Sequence, residues 1–186
     1  MKYLLILSVV LLSACSTRQI ATDLAGATEQ RLVTYSIEKL ISELPEEDFN
    51  QLGQKKVFIH THFIKRSHIV NYADQMLRLD LLRRFELNIT DKLADAEIEL
   101  HFFFNAIATD TDTYGLTIPI VNLSDTSQSS QIDILAVNMY HGISEFMYYV
   151  KDNTMNKVVK VRKLLARIRN DKFSTPILNF PLSNID

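Results

Sequence analysis

The stretch Glu97–Ala108, EIELHFFFNAIA, puts Ile98, Leu100, Phe102 and Phe104 on one side of an extended chain. Glu97, Glu99, His101 and Phe103 fall on the other. Side chains alternate across a strand with period two, so this pattern predicts a half-buried strand with one apolar and one polar face. Lys55–Phe63, KKVFIHTHF, repeats the alternation, with Val57, Ile59, Thr61 and Phe63 against Phe58, His60 and His62.

Helical spacing surrounds the first of these strands. Val33, Ile37, Leu40, Ile41 and Leu44 share one helix face from Thr28 until Pro45 stops it, and Glu46, Glu47 and Asp48 then read as a solvated loop. A second helix is predicted with Ile69, Tyr72, Ala73, Met76, Leu77, Leu81 and Phe85 inward and Arg78, Arg83 and Arg84 at its edge. Leu87–Thr90 reads as a short strand and Asp91–Asp95 as a turn.

Beyond Ala108 the chain is strand-rich. Asp110–Gly115 reads as a turn leading to Gly115 at positive φ, and the polar run Ser124–Gln131 reads as a hairpin loop. Gln131–His141 and Gly142–Lys151 look like a strand pair turning near Gly142. Asp152–Asn156 is a turn, Lys157–Lys172 a basic amphipathic segment, and Phe173–Asp186 an apolar tail carrying Pro176 and Pro181. Runs of strands without alternating helices predict an α+β fold. Two N-terminal helices would pack on one face of an antiparallel or mixed sheet, followed by the basic C-terminal segment and an extended tail. The expected core is Ile37, Leu40, Leu44, Val57, Ile59, Tyr72, Met76, Ile98, Leu100, Phe102 and Ile134.

The N-terminus addresses the chain. Lys2 precedes Tyr3–Leu12, YLLILSVVLL, a run too short to cross a hydrocarbon layer of about 30 Å as a helix but suited to a secretory signal. Leu12-Ser13-Ala14-Cys15, followed by Ser16, resembles a bacterial lipobox. That resemblance implies cleavage before Cys15, acylation of Cys15, and, with Ser rather than Asp at 16, sorting to the outer membrane. Residues 1–14 are then a lipoprotein signal peptide, 15–21 the lipidated Cys and a short tether, 22–152 an α+β domain, and 153–186 the basic segment and tail. The tether reaches roughly 20 Å at most, which keeps the domain against its membrane.

A wider resemblance rests on short motifs: Ala27-Thr28-Glu29-Gln30, Lys55-Lys56-Val57-Phe58, Tyr72, Ala94-Asp95-Ala96 and Gly115-Leu116-Thr117-Ile118-Pro119. Over residues 22–160 the chain resembles a family of bacterial lipoproteins classed as a domain of unknown function. Thr117 interrupts what is usually a compact Gly-Ile-Pro, and Asn156 stands where a turn glycine is common. The family implies no catalytic residues.

Composition excludes several activities. Glycines only at 26, 53, 115 and 142 allow no glycine-rich phosphate loop. A single Cys allows no disulfide framework and no thiolate zinc site. With 20 Lys+Arg against 22 Asp+Glu there is no case for nucleic acid. Asp110–Gly115 fails as a calcium loop, because Tyr114 takes an acidic position and Val121 replaces the bidentate Glu. No nucleophile–base pair stands out, so no enzyme is expected.

Two features remain. His60 and His62 share a strand face, and His101 lies on the polar face of another strand with Glu97 and Glu99. Were those faces aligned, three imidazoles and a carboxylate could bind zinc. The register is not legible, so the expectation is partly exposed strand histidines, with no metal and no cofactor. The segment 151–172 carries eight basic residues against Asp152 and Asp171. It reads either as a docked helix with its basic side in water or as a contact for anionic headgroups or an acidic partner. The expected membrane or protein contacts are Lys160, Arg162, Lys163, Arg167, Arg169, Ile177, Leu178, Phe180 and Leu182. The tail either packs back on its own sheet or inserts into another protein.

These expectations describe an outer-membrane lipoprotein facing the periplasm. It is anchored by lipid and has a protein partner in the envelope, as a non-catalytic component of an assembly such as a secretion apparatus. The alternative is a periplasmic lipoprotein that binds a small ligand or metal, or less readily a hydrolase.

Overall fold

The computed structural model describes residues 17–21, 24, 26–64, 67–121 and 129–183. The elements are β1 (Thr17–Ala21), α1 (Ala27–Ser42), α2 (Glu46–Phe49), β2 (Lys56–His62), α3 (His68–Phe85) and β3 (Asn88–Ile89). The long strands β4 (Ile98–Val121), β5 (Ser129–Asp152) and β6 (Lys157–Ser174) follow, then β7 (Asn179–Pro181). The fold is α+β and mostly strand. The sheet order is β3-β2-β4-β5-β6-β7, with β1 also paired to β4. β2 runs parallel to β3 and β4, whereas the β1–β4 and β6–β7 pairs are antiparallel, so the sheet is mixed.

The chain divides into two compact units. A helical unit comprises residues 26–108 and 142–168. A strand unit comprises the described residues among 1–25, 109–141 and 169–186.

In the helical unit, α1 buries Leu32, Val33, Ile37, Leu40 and Ile41. α3 buries Val70, Ala73, Leu77, Leu81 and Phe85. Arg84 of α3 donates to the carbonyls of Ser42 (2.7 Å) and Ile41 (2.8 Å), which satisfies the open C-terminal end of α1. The α1 face also meets β5. A Cβ on Gly142 would clash with the Leu32 carbonyl oxygen, and Ser36 and Ser144 hydroxyls share a 2.7 Å hydrogen bond. Small residues on β5 thus admit the helix backbone. Behind them Phe49, Phe85, Phe102, Phe104, Phe146 and Tyr148 form an aromatic core, with Phe102 and Phe146 edge to face at 5.4 Å.

Several expectations are corrected. Gly142 is not a turn: β5 runs through it, because its missing side chain serves a close approach rather than a reversal. Asp110–Gly115 is not a turn either but part of β4, although Gly115 does take a positive φ of 143°. Residues 17–21, expected as a tether, form β1. Asp48 is buried rather than solvated. Tyr72 is 37% exposed, and Met76 and Ile134 are half-buried, so the core face of α3 is narrower than its apolar content suggests.

The segment Lys157–Lys172 is strand and not helix. Its helical spacing of valines and leucines is overridden by pairing with β5. The connecting hairpin is held by Asp152, whose carboxylate accepts from the backbone N–H groups of Thr154 (2.9 Å) and Met155 (3.1 Å). Asn156 supplies the left-handed residue at φ 51°. Pairing in this way leaves Leu164, Ala166 and Ile168 on one face. The Cys15 lipobox and most of the Ser124–Gln131 loop lie outside the described residues.

Candidate functional site

β2 and β4 pair in parallel with His60 opposite His101. Because side chains alternate, that register sets His60, His62 and His101 side by side on the face turned away from the aromatic core. One ring nitrogen from each of the three lies within 4.8 Å of the others. His60 and His101 stack at 4.3 Å between centroids and 4° between planes, and His62 lies 5.6 Å from His101. Phe58 closes one end against His60 (4.5 Å) and Phe103 the other against His62 (4.3 Å).

Glu99, one alternation before His101, organises the cluster. Its Oε2 lies 3.1 Å from His101 Nε2 and 3.4 Å from His60 Nε2, and its Oε1 accepts from Lys151 Nζ at 2.9 Å. His62 Nε2 and His101 Nδ1 are 3.3 Å apart. Burial would raise the Glu99 pKa, but the hydrogen bonds from Lys151, Asn153 and His101 outweigh it and hold the carboxyl below its ordinary value. Burial and the neighbouring His101 depress His60 against the opposing pull of Glu99, and burial with His60 depresses His62. Both imidazoles are therefore neutral at neutral pH, the form that donates a lone pair.

Beside the cluster an open groove of about 370 Å³ is lined by His101, Phe103, Asn105, Met147, Tyr149, Lys151 and Val158. Sequence reading missed Lys151, Met147 and Tyr149. Their signal was the alternation of Glu145, Met147, Tyr149 and Lys151 against Ser144, Phe146, Tyr148 and Val150 along β5.

The basic residues expected to meet a partner are engaged within the fold. Lys160 and Arg162 reach the buried Asp48 at 3.2 and 2.7 Å, and Arg162 also pairs with Glu47 at 2.9 Å. Tyr148 donates to the same Asp48 carboxylate at 2.6 Å. Burial opposes ionisation of Asp48, yet Tyr148, Lys160 and Arg162 together keep its pKa below the ordinary value. Lys163 pairs with Glu145 and Arg169 with Asp171, at 2.9 and 2.7 Å. Arg167 is exposed and forms no ion pair among the described residues.

The strand unit is built differently. Thr109, Thr113, Asn138, His141, Asn170 and Ser174 are its buried polar residues, and Ala136 is its one buried apolar residue among those described. Asn138 ties the interior: it accepts from Thr113 (2.7 Å) and donates to Asp133 (2.7 Å) and Ser174 (3.0 Å). Exposed apolar side chains include Tyr114, Leu116 and Ile118 of β4, Leu135 of β5, and the tail, beside the exposed polar Arg169 and Asn179. β7 pairs with β6, Phe180 opposite Phe173, so the tail backbone returns to its own sheet. Its side chains nevertheless remain outside, with Ile177 88% and Leu182 59% exposed.

No helix among the described residues is long and apolar enough to cross a membrane. No protein-family model matches the chain, and no curated protein matches it.

Proposed function

We propose that the protein is an outer-membrane lipoprotein facing the periplasm. In this reading it is a non-catalytic binding or structural component of a cell-envelope assembly, with a secretion apparatus as the sharpest form. The observation that supports this reading is the inverted polarity of the strand unit. Water-facing surfaces favour polar side chains, and exposed apolar residues such as Tyr114, Leu116, Ile118 and Leu135 over a hydrogen-bonded polar interior suit contact with lipid or another protein. The lipobox lies beside that unit in sequence. β1 begins two residues after Cys15 and pairs with β4 from Thr17↔Thr113, so an acyl anchor on Cys15 would sit within roughly 7 Å of β1. In the same reading two helices pack on one face of the sheet. A second reading, a lipoprotein that binds a metal or small ligand, draws on the convergence of the three histidines.

The test uses the full chain in its native membrane. Cross-linking in intact cells compares the natural protein with the variant I177S/L178S/F180S/L182S. The expected variant keeps its unfolding midpoint and membrane location but loses its cross-linked partner. An unchanged set of cross-linked proteins rules out contact through the tail, and marked destabilisation would make these side chains part of the fold instead.

A further inference from the structure

We propose that His60, His62 and His101 form a binding site for a borderline divalent transition metal of the zinc, copper or nickel class. Imidazole nitrogen suits these ions, and three histidines leave a coordination position for water or an exogenous ligand. The site lies wholly in the helical unit and owes nothing to the membrane anchor or the tail, so either proposal can fail alone.

The geometry supplies what such a site needs. Two residues at i and i+2 on β2 and one directly opposite on β4 place three rings on a rigid pair of hydrogen-bonded strands. Glu99 then does what a carboxylate behind a ligating histidine does. By accepting the Nε2–H of His101 at 3.1 Å it leaves the lone pair on Nδ1, the atom 3.3 Å from His62 Nε2. With His101 in that tautomer, His62 Nε2 is the donor across this contact. Moving its own proton to Nδ1 turns His62 Nε2 into a second donor aimed at the same place. His60 Nε2 is buried 3.4 Å from the Glu99 oxygen that accepts from His101, outside hydrogen-bond geometry, so its polar contact is weak. Metal–nitrogen bonds of about 2.0–2.1 Å bring tetrahedral donors to roughly 3.3 Å from one another. Closing from within 4.8 Å requires the stacked His60 and His101 rings to tilt toward one another between Phe58 and Phe103, so that each lone pair lies along a metal–nitrogen bond. The nearby cations are already compensated, Lys151 by Glu99 and Arg78 by Asp74. The three rings are half-buried, with about a quarter of the His60 and His101 side chains exposed, so an ion can enter from solvent.

The probes are Zn²⁺ by titration calorimetry and Co²⁺ by visible absorption, added to full-length protein purified free of metal and chelator. One ion per chain should bind, Co²⁺ should show the intense bands of a low-coordinate nitrogen site, and Zn²⁺ should raise the unfolding midpoint. His60→Ala, His62→Ala and His101→Ala should each weaken Zn²⁺ by at least roughly tenfold, because each removes one of three protein ligands. His68→Ala, on the exposed start of α3, should leave binding unchanged. The histidine variants should keep the metal-free unfolding midpoint within a few degrees, and a His→Gln set replaces any alanine variant that does not fold. Absence of saturable binding overturns the site. So does Zn²⁺ binding that survives the triple histidine variant, which would mark adventitious surface binding only.

Discussion

The imidazoles of β2 and β4 show how much a residue's chemistry depends on its neighbours. His60 faces Glu99 and His101 from β4 and Arg78 from α3. Burial, His101 and Arg78 press its pKa down, and Glu99 resists. His62 is depressed by burial and by His60. Both folded values lie below the ordinary histidine value of about 6.5, so as pH falls the unfolded chain takes up protons before the folded one does. Stability contributed by these groups is whole above that ordinary value and is lost as pH falls from it toward the depressed folded values. Urea unfolding of metal-free protein between about pH 7.5 and 5 should therefore show stability rising with pH. The slope should shrink in H60A/H62A, and an unchanged slope would place the titrating groups elsewhere. Glu99 and Asp48 act lower down. Their depressed carboxyl values mean that stability present at neutral pH is lost as those groups are protonated in acid.

At the scale of elements, glycine and asparagine decide where strands continue and where they turn. Gly142 looks like a hairpin residue but lies inside β5, under α1, where a Cβ would clash with the Leu32 carbonyl oxygen and carbon. Those are backbone atoms, which cannot rotate aside, so Gly142→Ala must displace the helix. The expected loss is about 1–3 kcal/mol of stability, the usual cost of overpacking, read from denaturant unfolding. Gly26→Ala meets nothing closer than the Glu29 carboxylate at 3.9 Å and should cost far less. Equal effects would mean that β5 does not approach α1 so closely. The true reversal lies at Asp152–Asn156, where side-chain acceptance and one left-handed asparagine do what glycine was expected to do.

For the molecule as a whole, the two units bury opposite kinds of surface. The helical unit has a large aromatic and aliphatic core, whereas the described strand unit buries mainly polar residues and exposes many apolar ones. Under the proposed function something other than water lies against the strand unit, and a lipid anchor would deliver the chain there. Cys15→Ser should leave the protein unprocessed or mislocalised, as read by membrane fractionation and by the mass of the mature chain. Normal processing and sorting of the variant would remove the anchor from the proposal.

Local periodicity by itself determined which side chains share a face. It was enough to place α1, α3, β2, the start of β4 and the core residues Ile37, Leu40, Val57, Ile59, Ile98, Leu100 and Phe102. It also put His60 with His62, and His101 with Glu99. Periodicity is a short-range property, so it could not say which strands pair or in what register. The pairing of His60 with His101 spans 41 residues of chain and exists only because β2 and β4 lie in parallel at one alignment. The same limit explains β6. Its valines and leucines fit a helix as well as a strand, and the edge of β5, reached through the Asp152 turn, settled the choice. Tertiary structure alone also decided that Lys160 and Arg162 would be spent on a buried Asp48 and that the apolar tail would pair its backbone while leaving its side chains outside. Such outcomes follow from competition among distant groups for the same hydrogen bonds and the same buried space.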